Sequence, residues 1–486
     1  MIIKLVAIKT PFRIIINKEY IFLEPFFIHL LNKIPMGRKK KMELEIVNPN
    51  AGGIDVGSRS HYAAIGQELE DVKEFGVYAE DLKALAAWLI ENGIETVAME
   101  STGDYWQNLY AELLGNGIEV ILANGKFTKN IKGKKTDVLD CMWIQKLHSL
   151  GLLSGSFLPD GTTSQLRAYC RQRTKMLGLA AQSSSRMQKY LKLLNFRLDV
   201  VVKDVCGLTG MKIIADIVKG NLDPHQLAKH RHYNCRKSEE EIAKALHGNN
   251  RPDYLFGLGQ DYESYLFFRS KVGECEKQIA AFIDRHLMSL ENPIDDLPEA
   301  KPHKRKNKNS PKNMDLNVIA YQYFDGVDLM AIEGVSDATL LSLMSEVGPE
   351  GMKKFKTGKQ FASWLRLAPN NKISGGKTLS NRTPKGSGRL KIALRNAANA
   401  VGNLKDSYLS KFFKRIAFRH GRQTAITATA RKLAMIIWNM VTKKEPYNPP
   451  EEYLFLDQKR KLGIVKRIRK NMAKFDISTD DLVLNP

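Results

Sequence analysis

The pattern of apolar and polar positions changes along the chain. Over residues 43–153 it predicts a mixed α/β domain. Residues 54–65 and 72–78 carry the apolar runs and the breaks of a meander of strands. Two short apolar runs, at residues 95–99 and 119–123, predict buried strands. Two amphipathic segments, at residues 81–92 and 106–116, predict helices. Strands that give way to alternating strands and helices are typical of a mixed sheet with helices packed against it.

From about residue 161 the pattern has helical periodicity. Residues 162–194 are polar and rich in Gln, Ser and Arg, and the segment up to residue 286 continues in helical style with Tyr, Phe and Glu interleaved. Long helices of modest hydrophobicity predict a helical hairpin or a coiled coil, which would suit a dimerisation arm. The heptad pattern is not sustained along the whole segment, so both arrangements stay open.

A different pattern begins near Met330. Residues 329–340 have the pattern of a helix, a glycine turn and a second helix, which resembles a helix-hairpin-helix module. The turn of such a module offers backbone N–H groups to a phosphate; an ordinary tight connection between helices is the alternative. Residues 369–377 predict a loop with Ser374 directly before two glycines, and further helices are predicted up to residue 400, over residues 424–441 and in the basic tail, residues 459–474.

The charge balance adds a class of partner to this picture. The 486 residues include 75 Lys and Arg against 52 Asp and Glu, which gives a formal net charge of +23 and a pI of about 9.6. The basic residues cluster, most densely over residues 301–308, so a polyanion such as nucleic acid is favoured over a basic surface kept for solubility. The 301–308 run itself fits either a linker or a nucleic-acid-binding loop. The length suggests roughly three domains.

The cysteines and the first 35 residues bear on the compartment. The five cysteines are dispersed, odd in number and without the spacing of zinc ligands, which fits a reducing cytoplasm and no cysteine chemistry. Residues 1–35 contain neither an uninterrupted apolar stretch of the ~18 residues that span a membrane nor a compact signal-peptide core. We expect translation to begin at Met36, or residues 1–35 to be a poorly integrated extension; a membrane anchor is the less favoured alternative.

Four acidic residues stand where strands or helices are predicted to end or begin. Asp55 lies in an apolar run broken by glycines, and Glu100 closes a second such run. Asp137 and Asp140 are three residues apart beside the helical segment 141–150, so their carboxylates would share one helix face. Carboxylate oxygens alone make a hard site suited to Mg²⁺. Each acid taken singly fits a turn residue, a helix cap or a surface charge, but the conjunction favours a metal site.

Four short motifs make the sequence resemble a known family. They are GIDVG at residues 53–57, MESTG at 99–103, KTDVLD at 135–140 and ISGGK at 373–377. In this order and spacing they resemble the DEDD transposases of bacterial insertion sequences, the bridge-RNA-guided recombinases. The resemblance runs from residue 36 to about residue 447, although residues 195–320 match in general character only. Residues 1–35 and the tail after about residue 451 fall outside it.

The resemblance implies an α/β RNase H-like (RuvC-like) domain, then a helical coiled-coil region, then a mostly α-helical C-terminal transposase domain. We therefore expect an N-terminal extension over residues 1–35, a RuvC-like DEDD domain over 43–160 and a helical insertion with a basic linker over 161–320. The transposase domain would occupy residues 321–447, with the helix-hairpin-helix-like motif and the serine loop, and a basic tail would occupy residues 448–486.

The resemblance also implies roles for individual residues. It assigns catalysis and Mg²⁺ binding to four acids, Asp55, Glu100, Asp137 and Asp140. It assigns the nucleophilic role to Ser374, which would form a covalent bond to a DNA 5′ phosphate while the two following glycines let the backbone approach that phosphate. Four basic residues would bind nucleic acid: Lys377, Arg382, Lys385 and Arg389. Because the serine lies far from the acids in sequence, two domains of one or two protomers would build the active site.

The implied activity is that of an RNA-guided transposase or recombinase, which cleaves and rejoins DNA by phosphoryl transfer. The expected partners are the DNA of element ends and target, a structured guide (bridge) RNA and further copies of the chain in a dimer or tetramer, with no membrane. The expected location is the bacterial cytoplasm, in association with the nucleoid. Two alternatives stay open: a RuvC-like metal-dependent DNA nuclease that forms no covalent intermediate, and a non-catalytic nucleic-acid-binding protein with a decayed site.

Overall fold

The computed structural model describes residues 13–16, 19–22, 45–101, 103–123, 125, 136–289, 297–303, 306–312, 314–405, 407–449 and 454–476. For the antiparallel strands β1 (Arg13–Ile16) and β2 (Glu19–Phe22), and for residues 454–461, only the backbone is described. The chain divides into two compact units, residues 1–157 and 158–486. The five-part division expected from the sequence stays a prediction.

The N-terminal unit is built on a five-stranded mixed sheet. Its strands are β3 (Ala51–Val56), β4 (His61–Ala64), β5 (Val72–Phe75), β6 (Thr96–Glu100) and β7 (Glu119–Ala123). Its helices are α1 (Ala79–Glu91), α2 (Trp106–Gly115) and α3 (Asp137–Ser149), with a 3₁₀ turn at Leu69–Asp71. The sheet order is β5-β4-β3-β6-β7, in which β4 is antiparallel to β3 and to β5, while β6 is parallel to β3 and β7. The predicted mixed α/β domain is confirmed.

The core of this unit lies on the central strands. Ile54 of β3 and Met99 of β6 are fully buried. Helix α1 buries a stripe with the i, i+3, i+4, i+7 spacing of an amphipathic helix: Leu82, Leu85, Ala86 and Leu89. Burying one large aliphatic side chain contributes about 1.5–3 kcal/mol, so this stripe and the two central strands hold the sheet in place.

The C-terminal unit is largely helical, as predicted. Its first half contains α4 (Gly161–Leu193), α5 (Leu198–Val201), α6 (Leu208–Val218), α7 (Pro224–Ala228), α8 (Glu239–Lys244) and α9 (Pro252–Met288). The helices of its second half are α10 (Leu316–Tyr323), α11 (Asp337–Glu346), α12 (Gly348–Lys353), α13 (Gly358–Trp364), α14 (Arg389–Val401), α15 (Tyr408–His420), α16 (Arg422–Lys443) and α17 (Leu454–Phe475). The sequence reasoning did not predict α15.

Helices α4 and α9 form a long antiparallel hairpin. Arg173 in the first half of α4 pairs with Glu276 in the second half of α9 at 2.7 Å, and Arg186 in the second half of α4 pairs with Asp261 in the first half of α9 at 2.6 Å. Only 8% and 6% of the Arg173 and Glu276 side chains are exposed, and removing one partner of a buried ion pair costs about 3–5 kcal/mol. Arg173 also donates to the carbonyl oxygen of Asn309 at 2.6 Å. Part of the basic segment after α9 therefore packs against the hairpin.

Two details of the C-terminal unit differ from the sequence prediction. The segment before the Gly334 turn is a 3₁₀ turn, Leu329–Ala331, instead of an α-helix. A Cβ atom on Gly334 would lie 2.6 Å from the carbonyl oxygen of Ala397 on α14, so the turn packs closely against that helix. This packing favours the ordinary helix connection over a phosphate-binding turn. The second difference is the serine loop, which is a β-hairpin.

No helix in the described part of the chain is long and apolar enough to cross a membrane.

Candidate active site

Two of the predicted acids lie side by side at one edge of the sheet. Strands β3 and β6 are parallel neighbours in which Gly53 pairs with Ala98 and Ile54 pairs with Met99. Asp55 and Glu100 are the next residues along the two strands, and both are half-buried. Because side chains alternate between the faces of a sheet, Asp55 shares a face with Gly53, and Glu100 shares it with Ala98. The register therefore places these two carboxylates on the same face.

Helix α3 packs onto this same face at Gly53. A Cβ atom on Gly53 would lie 2.5 Å from the carbonyl oxygen of Cys141 and 2.6 Å from the Cα atom of Gln145. The side chain of Gln145 fastens the contact, because its amide donates to the carbonyl oxygen of Ala51 at 3.0 Å. A glycine inside a strand often marks such a close approach of backbone, and here it brings the helix that carries the remaining acids onto β3.

Asp137 and Asp140 occupy the first turn of α3, where the helix dipole favours negative charge. Thr136 caps the helix by accepting a hydrogen bond from the Leu139 N–H at 3.3 Å. Burial raises the pKa of the neighbouring Cys141 thiol to about 12, and the charges of Asp55 and Asp140 add to that increase. The charges of Asp55, from the sheet, and Asp140, from the helix, thus act on the same sulfur atom. A thiol with so high a pKa is protonated at neutral pH.

The structure does not close the four acids into a metal cage. Asp140 is half-buried and Asp137 is exposed. In the described part of the chain, no three acidic, His or Cys side chains form a group that could hold a metal ion. The carboxylate of Glu100 lies against Gly125, where an added Cβ atom would be 2.9 Å from its Cδ. Residues 126–135, including Lys135 of the third motif, lie outside the described residues.

Ser374 lies at the end of a short β-hairpin. Strand β8 (Lys372–Ser374) pairs with strand β9 (Lys377–Ser380), and Ser374 is the register partner of Lys377. Gly375 and Gly376 between the strands have φ angles of +54° and +73°, as the two central residues of a type I′ turn require. Ser374 is exposed, and directly paired residues of a hairpin lie on one face. The serine hydroxyl and the Lys377 ammonium are therefore presented together.

The other predicted nucleic-acid-binding residues follow the hairpin. Arg382 and Lys385 are exposed, and the carbonyl oxygen of Arg382 accepts a hydrogen bond from the Asn370 N–H at 3.0 Å, which closes the base of the hairpin loop. Arg389 begins α14 and lies 3.8 Å from Glu346, with 46% of its side chain exposed. The structure thus exposes Lys377, Arg382 and Lys385, with Lys377 paired to the serine, and turns Arg389 towards a carboxylate.

Sequence reasoning missed the residues that hold these sites together. Gly53 and Gln145 fix α3 on the sheet; in the sequence alone, Gly53 stands out only as the first residue of the GIDVG motif, and Gln145 does not stand out. The double glycine Gly52-Gly53 inside an apolar strand was the available signal, since strand glycines often mark a close approach. Tyr62, the register partner of Asp55 on β4, was also missed. A hydrogen bond to Glu74 is the main cause of the raised pKa of the Tyr62 phenol, and the negative charge of Asp137 adds to it.

Comparison with known families separates the same two regions. A DEDD transposase model of the IS110 type matches residues 52–196, and a model for transposases of the IS116/IS110/IS902 family matches residues 328–414. These two segments of the chain are thus similar to transposase domains of the IS110 type. All four acids lie in the first match and Ser374 lies in the second.

Two relatives share part of this similarity. A probable family 20 transposase of Pseudomonas aeruginosa is 29% identical over 125 residues, which is 25% of this chain and 36% of the relative. The transposase for insertion sequence element IS1111A of Coxiella burnetii is 30% identical over 138 residues, or 27% of this chain and 37% of the relative. The chain thus covers little more than a third of the length of either relative.

Proposed function

We propose that the protein is a DNA transposase or recombinase that cleaves and rejoins DNA strands through a covalent serine intermediate. The observation that carries the proposal is the division of residues between the two transposase matches, with the acids in residues 52–196 and an exposed, glycine-flanked serine in residues 328–414. The relatives are named as transposases, which supports DNA as the substrate. The excess of basic residues, with a net charge of +23, supports a polyanionic partner.

The N-terminal unit is proposed to be an RNase H-like, RuvC-like domain. Its sheet begins with three antiparallel strands, β3, β4 and β5, and is extended on the other side of β3 by two parallel ones, β6 and β7. In α/β sheets, sites form beyond the carboxyl ends of the parallel strands. Asp55 and Glu100 lie at those ends, and α3 adds Asp137 and Asp140 from its first turn.

The donor chemistry of these acids fits Mg²⁺, because all four offer carboxylate oxygens. Asp55, Glu100, Asp137 and Asp140 would hold the ion, and bound Mg²⁺ would neutralise developing charge on a phosphoryl group. The chain itself positions the first two acids through the β3–β6 register and the other two through the contact of α3 with Gly53.

In the proposed reaction, the Oγ atom of Ser374 attacks the phosphorus of a DNA phosphodiester. A bond forms between Oγ and phosphorus, the bond between phosphorus and the 3′ oxygen breaks, and the serine proton ends on that leaving oxygen. Rejoining reverses the step, because a 3′ hydroxyl of the new strand attacks the phosphoserine and returns the proton to Ser374. Lys377, on the same face of the hairpin, would counter the charge on the phosphoryl oxygens.

Partners and location complete the proposal. A structured guide RNA would select the DNA of element ends and target, and the active assembly would be a dimer or tetramer of this chain in the bacterial cytoplasm, near the nucleoid. Support for the RNA comes from the basic clusters and from the motif resemblance. The alternative is a RuvC-like nuclease that uses water in place of Ser374, and the sheet-edge acids alone would suffice for it.

The deciding experiment traps the covalent adduct. The full-length protein, labelled element-end DNA and the RNA encoded beside the reading frame are incubated with Mg²⁺, denatured and digested, and the DNA-linked peptide is mapped. We expect the nucleotide on Ser374. Ser374→Ala should abolish the adduct while DNA binding survives, and Ser380→Ala, on the same hairpin, serves as the control and should retain it.

The same experiment can overturn the proposal. A nucleotide mapped to Ser380 would contradict the assignment of the nucleophile. Metal-dependent cleavage without any adduct would favour the RuvC-like nuclease, with water as the attacking group.

A further inference from the structure

A second feature of the C-terminal unit lies beside the predicted nucleic-acid-binding residues and is not explained by them. A cavity of about 310 Å³ opens between the end of α13 and the start of α14. Its lining combines a glycine-rich turn, three cations and one indole ring: Gly386, Gly388, Arg366, Arg389, Lys391 and Trp364. This composition suits an anion, since three cations and a glycine-rich turn line one space.

Lys391 is the unusual member of this lining. Only 6% of the residue is exposed, yet among the described residues no carboxylate lies within ion-pair distance of its ammonium group. Its single described hydrogen bond goes to the carbonyl oxygen of Pro384 at 3.3 Å, which leaves two of its three N–H donors for other partners. A buried charge without a counter-ion destabilises a fold, so such a residue is unexpected unless a ligand supplies the charge.

The charges around Lys391 make the same point. Burial lowers the pKa of the Lys391 ammonium, and the positive charges of Arg395 and Arg366 lower it further. Arg366 is held over the turn, because its guanidinium donates to the carbonyl oxygen of Lys385 and its Cδ would lie 2.8 Å from a Cβ atom on Gly386. Each of these cations would be stabilised by an anion placed between them.

One carboxylate, that of Glu346, also lines the cavity. Arg171 binds it through two hydrogen bonds of 3.1 and 2.9 Å, and Arg167 lies 3.3 Å away. Arg389, which also lines the cavity, lies 3.8 Å from the same carboxylate. Three guanidinium groups therefore surround one carboxylate, and the cavity keeps a net positive charge, to which Arg366 and Lys391 contribute.

The backbone adds donors to the cations. Gly388 is the N-cap of α14, a helix of 13 residues, and offers no side chain to cap it. The first N–H groups of a helix lack partners within the helix, and its dipole favours an anion at that end. Ser387 in the same turn is exposed, so the turn is open to a ligand from solvent.

We propose that this cavity is a phosphate site that binds one phosphodiester of the nucleic acid held by the C-terminal unit, with Lys391, Arg366 and the Gly386–Gly388 turn as its donors. The nature of the ligand rests on the proposed function, whereas the anion site rests on the cavity alone. A phosphate bound here would lie beside Lys385 and Arg389, and would extend the contact surface of the serine hairpin towards α14.

The test removes the positive charge of Lys391 and keeps a side chain of similar length. In the full-length protein, Lys391→Met should lower duplex DNA affinity about tenfold and reduce the dependence of log K on log salt by about one, as loss of one phosphate contact does. The same variant should raise the melting temperature without anions, because a buried unpaired charge is gone. Inorganic phosphate should raise the melting temperature of the wild type and not of Lys391→Met. The control is Lys353→Met, which removes an equal charge from an exposed lysine paired with Glu350.

A second variant guards against an altered fold. Ser387→Glu places a carboxylate at the mouth of the cavity from an exposed position, and it should abolish the response to inorganic phosphate while also weakening DNA binding. The proposal is overturned if Lys391→Met lowers the melting temperature and leaves affinity and salt dependence as in the wild type. An equal response of all variants to phosphate would also overturn it. If the wild type binds no DNA but its phosphate response requires Lys391, the anion site stands and the proposed function fails.

Discussion

The sheet edge that carries Asp55 and the hairpin that carries Ser374 differ in how firmly the surrounding chain holds them. Asp55 stands between fully buried Ile54 and nearly buried Val56, and the backbone of α3 covers its strand at Gly53. The hairpin has no such cover. A Cβ atom on Gly375 or Gly376 would find nothing within 4 Å.

The side chains of the hairpin show the same contrast. Ile373 is 64% exposed and Leu379 is 69% exposed, although both are apolar. A two-stranded hairpin alone is marginally stable in water, so contact with something outside it must fix the serine for a reaction. The fold thus positions the acids, whereas the position of Ser374 is fixed only by contact with a ligand, which under the proposed function is the DNA.

The largest expected effect concerns the acids. Alanine at Asp55, Glu100 or Asp140 should reduce strand cleavage by about 100-fold or more, because stabilisation of phosphoryl charge is lost, while a gel-shift assay should find DNA affinity unchanged. Glu91→Ala, an exposed acid at the end of α1, is the control and should cleave normally. Full cleavage by all three variants in Mg²⁺ would show that the sheet edge is not the active site.

The next effect is on stability and concerns the contact that positions those acids. Gly53→Ala should lower the free energy of unfolding of the N-terminal unit by about 3 kcal/mol, because the new Cβ atom collides with the backbone of α3. The measurement is urea unfolding followed by tryptophan fluorescence, because three of the five tryptophans, Trp88, Trp106 and Trp143, report on this unit.

Gly115 provides the matched control for this substitution. It ends α2 with no atom within 4 Å of an added Cβ, so Gly115→Ala should be neutral or stabilising by up to about 1 kcal/mol. Equal unfolding midpoints for Gly53→Ala and the wild type would mean that α3 is not held tightly on β3.

Local patterns were sufficient to predict the sheet and the positions of two acids. The runs that became β6 and β7 are short and apolar, and a carboxylate that closes such a run lies at the end of a strand. Burial of Ile54 and Met99 follows from the same continuous apolar runs. The placement of Asp55 beside Glu100 needed one further step, the parallel pairing of β3 with β6. The chain order β5–α1–β6 favours a parallel crossover, but it does not indicate that β6 pairs with β3.

Contacts between distant residues could not be predicted in this way. Arg173 and Glu276 are 103 positions apart, and nothing local in either helix indicates that they pair. Lys391 belongs to a basic stretch that looks solvent-exposed in the sequence, but the fold buries it beneath the Gly386–Gly388 turn. The type I′ turn at Gly375-Gly376 did have a local signal, since paired glycines flanked by short strands favour it. The prediction from the sequence is nevertheless a loop at these residues, and the structure has a hairpin.

The smallest expected effect comes from the turn beside Ser374, and it tests the contrast most directly. An alanine at Gly375 must adopt φ near +54°, which costs a non-glycine residue about 1 kcal/mol within the hairpin. Because the hairpin packs against nothing at this point, Gly375→Ala should change global unfolding by less than about 0.5 kcal/mol. Adduct formation at Ser374 should slow only several-fold. Gly375→Asn should form adduct at the wild-type rate, since Asn-Gly suits the same turn. If both variants block the adduct, the glycine is needed for space beside the phosphate; if Gly375→Ala unfolds as easily as Gly53→Ala, the hairpin is as firmly held as the sheet edge.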